Sequence, residues 1–151
     1  MIARDHIGFT TVPTRVHVDA WRVKLFCRAI GETDAVHWDA ELACAAGLPG
    51  CPVPPTFLKA LESDHVSSAA LLTQMSAPLA KVLHAEQSFD YQHPVYVGDD
   101  VEITRCIRDI HDKRNGELTF VVIDTRYRVG SKDNATSVQT ILLRNRIGET
   151  T

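Results

Sequence analysis

The sequence predicts an α+β domain in which one antiparallel sheet, built by the second half, covers a helical first half. Three observations carry the prediction. Apolar residues recur at helical spacing before Pro78, period-two alternation dominates after it, and tight turns connect the later segments.

Taken in order, residues 10–16 read as a lead-in or short edge strand, because Pro13 lacks the amide an inner strand needs. Asp19 is a good N-cap for a helix of about three turns, with Val23, Phe26, Cys27 and Ile30 on one face and Gly31 as the stop. Asp39 caps a second, shorter helix over residues 40–46, which Gly47 ends. Residues 49–55 hold four prolines and predict a rigid, extended overhang. A third helix is predicted from Pro55, running on, with or without a break, through residues 69–72.

After Pro78 the pattern is β. Residues 82–92 alternate Leu83, Ala85, Gln87, Phe89 and Tyr91 against His84, Glu86, Ser88 and Asp90. Pro94 and Gly98-Asp99 make a corner, and Val101, Ile103, Arg105 and Ile107 share a face of the next strand. Asn115-Gly116 is a hairpin turn. Residues 118–129 and 136–144 supply two more strands, separated by a turn over residues 130–134. The four strands are expected to form a meander that pairs in sequence order. A long sheet wrapped around one central helix is the hot-dog arrangement. Its open edge invites a second copy, so a dimer is expected.

Length and composition bound the class. The 151 residues suit one domain, 1–151, and 44% hydrophobic with 23% charged residues is globular rather than disordered. A net charge of −3 argues against a nucleic-acid surface. No apolar run approaches the roughly 20 residues of a membrane helix, and residues 1–6 have no signal-peptide core, so a cytoplasmic location is expected. Cys27, Cys44, Cys51 and Cys106 form no C-x-x-C pair and have no His-x-x-x-His partner. Free thiols are expected, with no metal site.

Residues 29–39, between the first two helices, are the most suggestive chemically. Glu32 and His37, five positions apart across a turn, suit a general acid/base pair that adds water across a double bond. In that reading the carboxylate accepts the water's proton and the imidazole donates one elsewhere. A plainer reading stands beside it: Glu32, Asp34 and Asp39 as solvated or helix-capping carboxylates, and His37 as one surface histidine among seven.

Gly31-Glu32-Thr33-Asp34-Ala35-Val36-His37 resembles the G-D-x-N-P-[aliphatic]-H signature of MaoC-like, (R)-specific enoyl-CoA hydratases. Gly31, Val36 and His37 match it directly. Glu32 stands at the catalytic Asp position, Asp34 at the Asn and Ala35 at the Pro. The extra methylene of Glu32 moves the carboxylate by about an ångström, a displacement that can cost on the order of 100-fold. The overhang into Thr56-Phe57 resembles the A-P-P-T-F segment of the FAS1-like dehydratase branch. Residues 82–91, followed by Pro94-Val95 and Gly98-Asp99, are similar to that branch's L-H-G-E-Q-x-F-x-Y…P-[aliphatic]…G-D pattern. Residues 118–122 match its third sheet strand, and the resemblance spans about residues 18–144.

The resemblance implies a hot-dog fold and hydration or dehydration of an acyl thioester, with His37 and Glu32 catalytic. The substrate would carry a CoA or acyl-carrier arm, and no metal or redox cofactor is implied. Gly31, Thr56, Phe57 and His84 would bind substrate. The Thr56 and Phe57 amides at the central helix start would hold the thioester oxygen, and His84 would either line the pocket or face solvent. Active members have a His-Gly pair where this chain has Pro54-Pro55, which removes N–H donors. The alternative the branch allows is a non-catalytic acyl-binding half that pairs with a catalytic hot-dog partner, giving a heterodimer instead of a homodimer. A third reading, a thioesterase, needs a carboxylate on the central helix, for which Glu62 and Asp64 are the nearby residues. Arg105 either meets a CoA phosphate or pairs with an acidic neighbour, and Trp38 and Phe57 read as core.

Overall fold

The computed structural model describes residues 2–145, apart from the side chain of Ala70. Five strands form one antiparallel sheet: β1 (Thr14–His17), β2 (Val82–Tyr91), β3 (Asp100–Lys113), β4 (Leu118–Val129) and β5 (Lys132–Arg144). The order across the sheet is β1-β3-β4-β5-β2. Alternation decides which face is inside. Val101, Ile103 and Ile107 of β3 and Val121, Ile123 and Tyr127 of β4 are buried, and the buried positions alternate with more exposed ones. In the β3–β4 turn Arg114 and Asn115 both have φ of 52° and Gly116 has 88°, a run of positive φ that Asn and Gly adopt cheaply. Arg108 is an extra residue in the β3–β4 ladder, between the pairs Ile107–Ile123 and Asp109–Val122. The bulge flips the parity and returns Ile110 to the core.

The expected meander holds for β3, β4 and β5 but fails at β2, which pairs with β5 rather than β3. The reason lies in residues 92–99, whose hydrogen bonds go elsewhere. The Gln92 and His93 amides both donate to the Asn134 carbonyl, at 2.9 and 3.0 Å. Val97 N–H donates to Cys51 O at 2.9 Å, and Val95 O accepts from Val53 N–H at 2.8 Å. The chain thus crosses the end of the sheet against the overhang and re-enters beside β1, where Val18 N–H donates to Asp99 O.

There are four helices, α1 (Ala20–Ile30), α2 (Ala40–Ala45), α3 (Phe57–His65) and α4 (Ser68–Gln74), of which α1, α3 and α4 join the core under the sheet. Central α3 buries Phe57, Leu58, Leu61 and Glu62. It breaks from α4 at Val66, which is extended, because the Ser67 side chain caps a new helix at Ala69 N–H. No helix among the described residues is long and apolar enough to cross a membrane.

The core falls into two apolar clusters. One joins α1 and α3 to Val101, Ile103 and Tyr127, and the other joins α4 to Ile107, Ile110, Val121, Ile123, Ile141 and Leu143. A polar belt runs between them. Arg105 faces Thr125 across β3 and β4, Thr125 faces Ser137 across β4 and β5, and all three are buried. Glu62, with no exposure, reaches down from α3. Its carboxylate accepts from Arg105 and Lys59, each at 2.8 Å, and from the Tyr127 hydroxyl at 2.5 Å. Burial first, and the Glu62 charge second, push the Tyr127 phenol far above its ordinary range.

Candidate functional site

The site begins where α1 stops. Gly31 is left-handed, with φ of 73°, and its N–H donates to Arg28 O while Glu32 N–H reaches back to Cys27 O at 2.8 Å. This double closure turns the chain sharply off the helix axis. The Glu32 carboxylate then folds onto its own turn, where Oε1 accepts the N–H groups of Thr33 (2.8 Å) and Asp34 (2.9 Å). Those two bonds, and more weakly the nearby His37, hold Glu32 below the usual glutamate range. The other two carboxylates follow the plainer reading. Asp34 caps the 3₁₀ turn Ala35–His37 through Val36 N–H, and Asp39 caps α2 through Glu41 and Leu42 N–H.

His37 ends that 3₁₀ turn, half-buried, with Nδ1 at 2.6 Å from the Pro52 carbonyl. A carbonyl only accepts, so Nδ1 carries the hydrogen, and in the neutral ring Nε2 keeps its lone pair. The geometry therefore favours His37 as proton acceptor, the reverse of the division of labour the sequence suggested. Pro52 is itself fixed, because the overhang bridges to residues 95–97 on both sides of it. Nothing in the sequence singled out Pro52, because the contact depends on the path of residues 92–99.

Four residues on, within about 14 Å of chain, the overhang becomes the start of α3. Among the described residues Thr56 N–H meets no acceptor and is free for a ligand oxygen. Phe57 N–H is not free, since it donates to Pro54 O at 2.9 Å. The Phe57 ring is buried, edge-on to Phe26 at 5.5 Å, so its part is in the core, as the sequence also suggested. Beside this helix start lies a cleft of about 250 Å³, lined by Val53, Pro55, Leu58, Tyr91, His93 and Val95 among others. The Tyr91 hydroxyl donates to Pro55 O at 2.7 Å and ties β2 to the overhang. His84 does not join the group within one chain. It is exposed on β2, seven residues or roughly 23 Å of strand from Tyr91.

The belt settles two side questions. Arg105 is 3% exposed and paired to Glu62, so it is not a surface phosphate contact. Glu62 is saturated by three donors and presents no free carboxylate for thioester hydrolysis, and Asp64 pairs through one oxygen with Arg22 on the exposed end of α3.

A family model for the FAS1-like dehydratase domain region matches residues 5–134. A UPF0336 protein of Streptomyces griseus is 26% identical over 128 residues, covering 84% of this chain and 85% of its own. Among solved structures, the chain is similar to the C-terminally truncated HadBC (3R-hydroxyacyl-ACP dehydratase) complex of Mycobacterium tuberculosis. The TM-score is 0.79 at 19% identity, with 91% of this chain and 97% of that one covered. It is similar also to the (R)-hydratase from A. caviae involved in PHA biosynthesis. There the TM-score is 0.69 at 18% identity, with coverage of 89% and 94%. These likenesses show the hot-dog fold.

Proposed function

The chain belongs to the FAS1-like dehydratase domain family, and from that premise we propose that it hydrates enoyl thioesters, or dehydrates 3-hydroxyacyl thioesters, on a CoA or acyl-carrier arm. The observation that carries the reading is the His37 Nδ1–H bond to Pro52 O, which leaves the Nε2 lone pair of a half-buried histidine without a hydrogen-bond donor among the described residues. In the hydration direction Nε2 takes a proton from water as the water oxygen bonds to C3. The C2–C3 π pair moves toward the thioester oxygen, which the free Thr56 amide meets. Ionised Glu32 orients the water and favours the imidazolium as it forms. The proton returns to C2 as the enolate collapses, and elimination runs the same steps backward. No metal or redox cofactor enters the step. Gly31 lets the loop leave α1. The partner is a second hot-dog subunit, either another copy or a catalytic homologue, and HadBC is a complex of this kind in fold.

The test is hydration of trans-2-enoyl-CoAs of short and medium length, followed by loss of the enoyl absorbance. Wild type is active with at least one length, and His37→Ala falls on the order of 10²–10⁴-fold. An inert wild type, or an equally active mutant, overturns the role of His37.

A second reading, a non-catalytic acyl-binding subunit, draws on the helix start. Pro54 and Pro55 supply no N–H, and Phe57 spends its own on Pro54 O. In that case activity appears only after a catalytic MaoC-type partner is added, and His37→Ala does not change it.

A further inference from the structure

Trp21, Lys24, Leu25 and Arg28 stand at i, i+3, i+4 and i+7 on α1, so they share one face. That face is turned away from the core, which takes Val23 and Cys27 from the opposite side. Trp21 is 66% exposed and Leu25 59%, a large apolar pair in water. The two cations beside them form no ion pair among the described residues, whereas Arg22 on the inner side is held by Asp64 and His65. The helix carries three basic residues and no acidic one, in a chain whose net charge is −3. The patch is therefore a local positive field around an aromatic anchor, the composition that an acidic partner complements.

We infer that this outer face of α1 docks the acidic helix of an acyl-carrier protein, which delivers the thioester to the site. The inference rests on the acyl-thioester reading and names the form in which the substrate arrives. Two further observations favour this occupant over a permanent subunit. Two apolar side chains and two cationic stems fall well short of the roughly 800 Å² per partner that a stable interface buries, which suits a transient carrier. The same helix ends at Gly31, ten residues or about 15 Å from Trp21, so a carrier seated there stands within reach of the Glu32–His37 loop by a flexible pantetheine arm.

Trp21 and Trp38 are the two tryptophans of the chain, which makes the indole N–H resonances clean reporters. Isotope-labelled protein is titrated with an acidic bacterial acyl-carrier protein in its holo form. The Trp21 indole signal shifts, binding weakens as salt rises, and the double charge reversal K24E/R28E weakens it about tenfold or more. The same variant keeps its kcat/KM for enoyl-CoA within twofold, because neither residue touches the site. Unchanged carrier binding in K24E/R28E overturns the inference. So does loss of oligomeric state in that variant, which makes the face a subunit interface, or binding to phosphatidylglycerol vesicles with none to the carrier. The two readings fail separately. Carrier docking at Trp21 by a protein inert toward every enoyl-CoA sinks the hydratase alone, and hydration without carrier binding sinks the docking alone.

Discussion

Glu32 shows how much a single turn does to one carboxylate. Its two backbone N–H partners stabilise the charged form, so its folded pKa lies below the unfolded value near 4.5. A group depressed in this way adds stability that is fully present above its unfolded pKa and is lost as pH falls through the folded one. Wild type is thus expected to lose stability relative to Glu32→Gln as pH drops below about 4.5, read from urea midpoints across an acid series. Parallel curves for the two proteins would show that the turn bonds do not favour the charge. The same depression moves Glu32 ionisation below the ordinary glutamate value, so hydration should show no acid limb from Glu32 at or above about 4.5. An inflection there in the pH–kcat/KM profile that Glu32→Gln removes would refute this.

At the scale of elements, the belt ties α3 to three strands. Glu62 meets Arg105 of β3 and Tyr127 of β4, and Lys59 approaches Gln139 of β5 at 3.4 Å. Removing one buried partner strands the other charge in a dry interior, which costs about 3–5 kcal/mol, whereas replacing both with apolar residues of similar size is often neutral. Arg105→Met alone, which leaves buried Glu62 only Lys59 and Tyr127, is therefore expected to be destabilised by up to that amount, and Glu62→Leu/Arg105→Met to recover most of the loss in urea unfolding. A double variant as unstable as the sum of the two singles would mean the pair acts independently. The α3 start is the second element-scale matter. Pro54-Pro55 ends the overhang rigidly, and the Tyr91 bond to Pro55 O fixes it from β2, so the free Thr56 amide is held in place by neighbours distant in sequence.

For the whole molecule, the edge strands govern assembly. Among the described residues β2 pairs only with β5, its other edge carries no strand, and it leaves Leu83 exposed. Light scattering at micromolar concentration should give a particle of at least two hot-dog subunits, alone or with a catalytic homologue. A monomer under both conditions would leave the edge unused.

Much of this was legible in the sequence because it is local. Asp39 and Gly31 delimit helices through caps that need only their neighbours, and Asn115-Gly116 sets a turn through φ alone. The Gly31–His37 motif placed Glu32 and His37 on one loop, and four prolines marked the overhang. The rest came from contacts between distant segments. The partner of β2, the carbonyl that orients His37, the loss of the Phe57 amide and the pairing of Arg105 with Glu62 each join residues whose alternatives look alike along the chain. An alternating strand has the same pattern whichever neighbour it takes, and a buried charge has the same letter whether or not a partner awaits it. The sequence by itself determined most of the elements and the loop on which Glu32 and His37 sit. Only the tertiary structure decided the order of the sheet and the direction of each donor, because backbone hydrogen bonds are committed where the chain crosses itself.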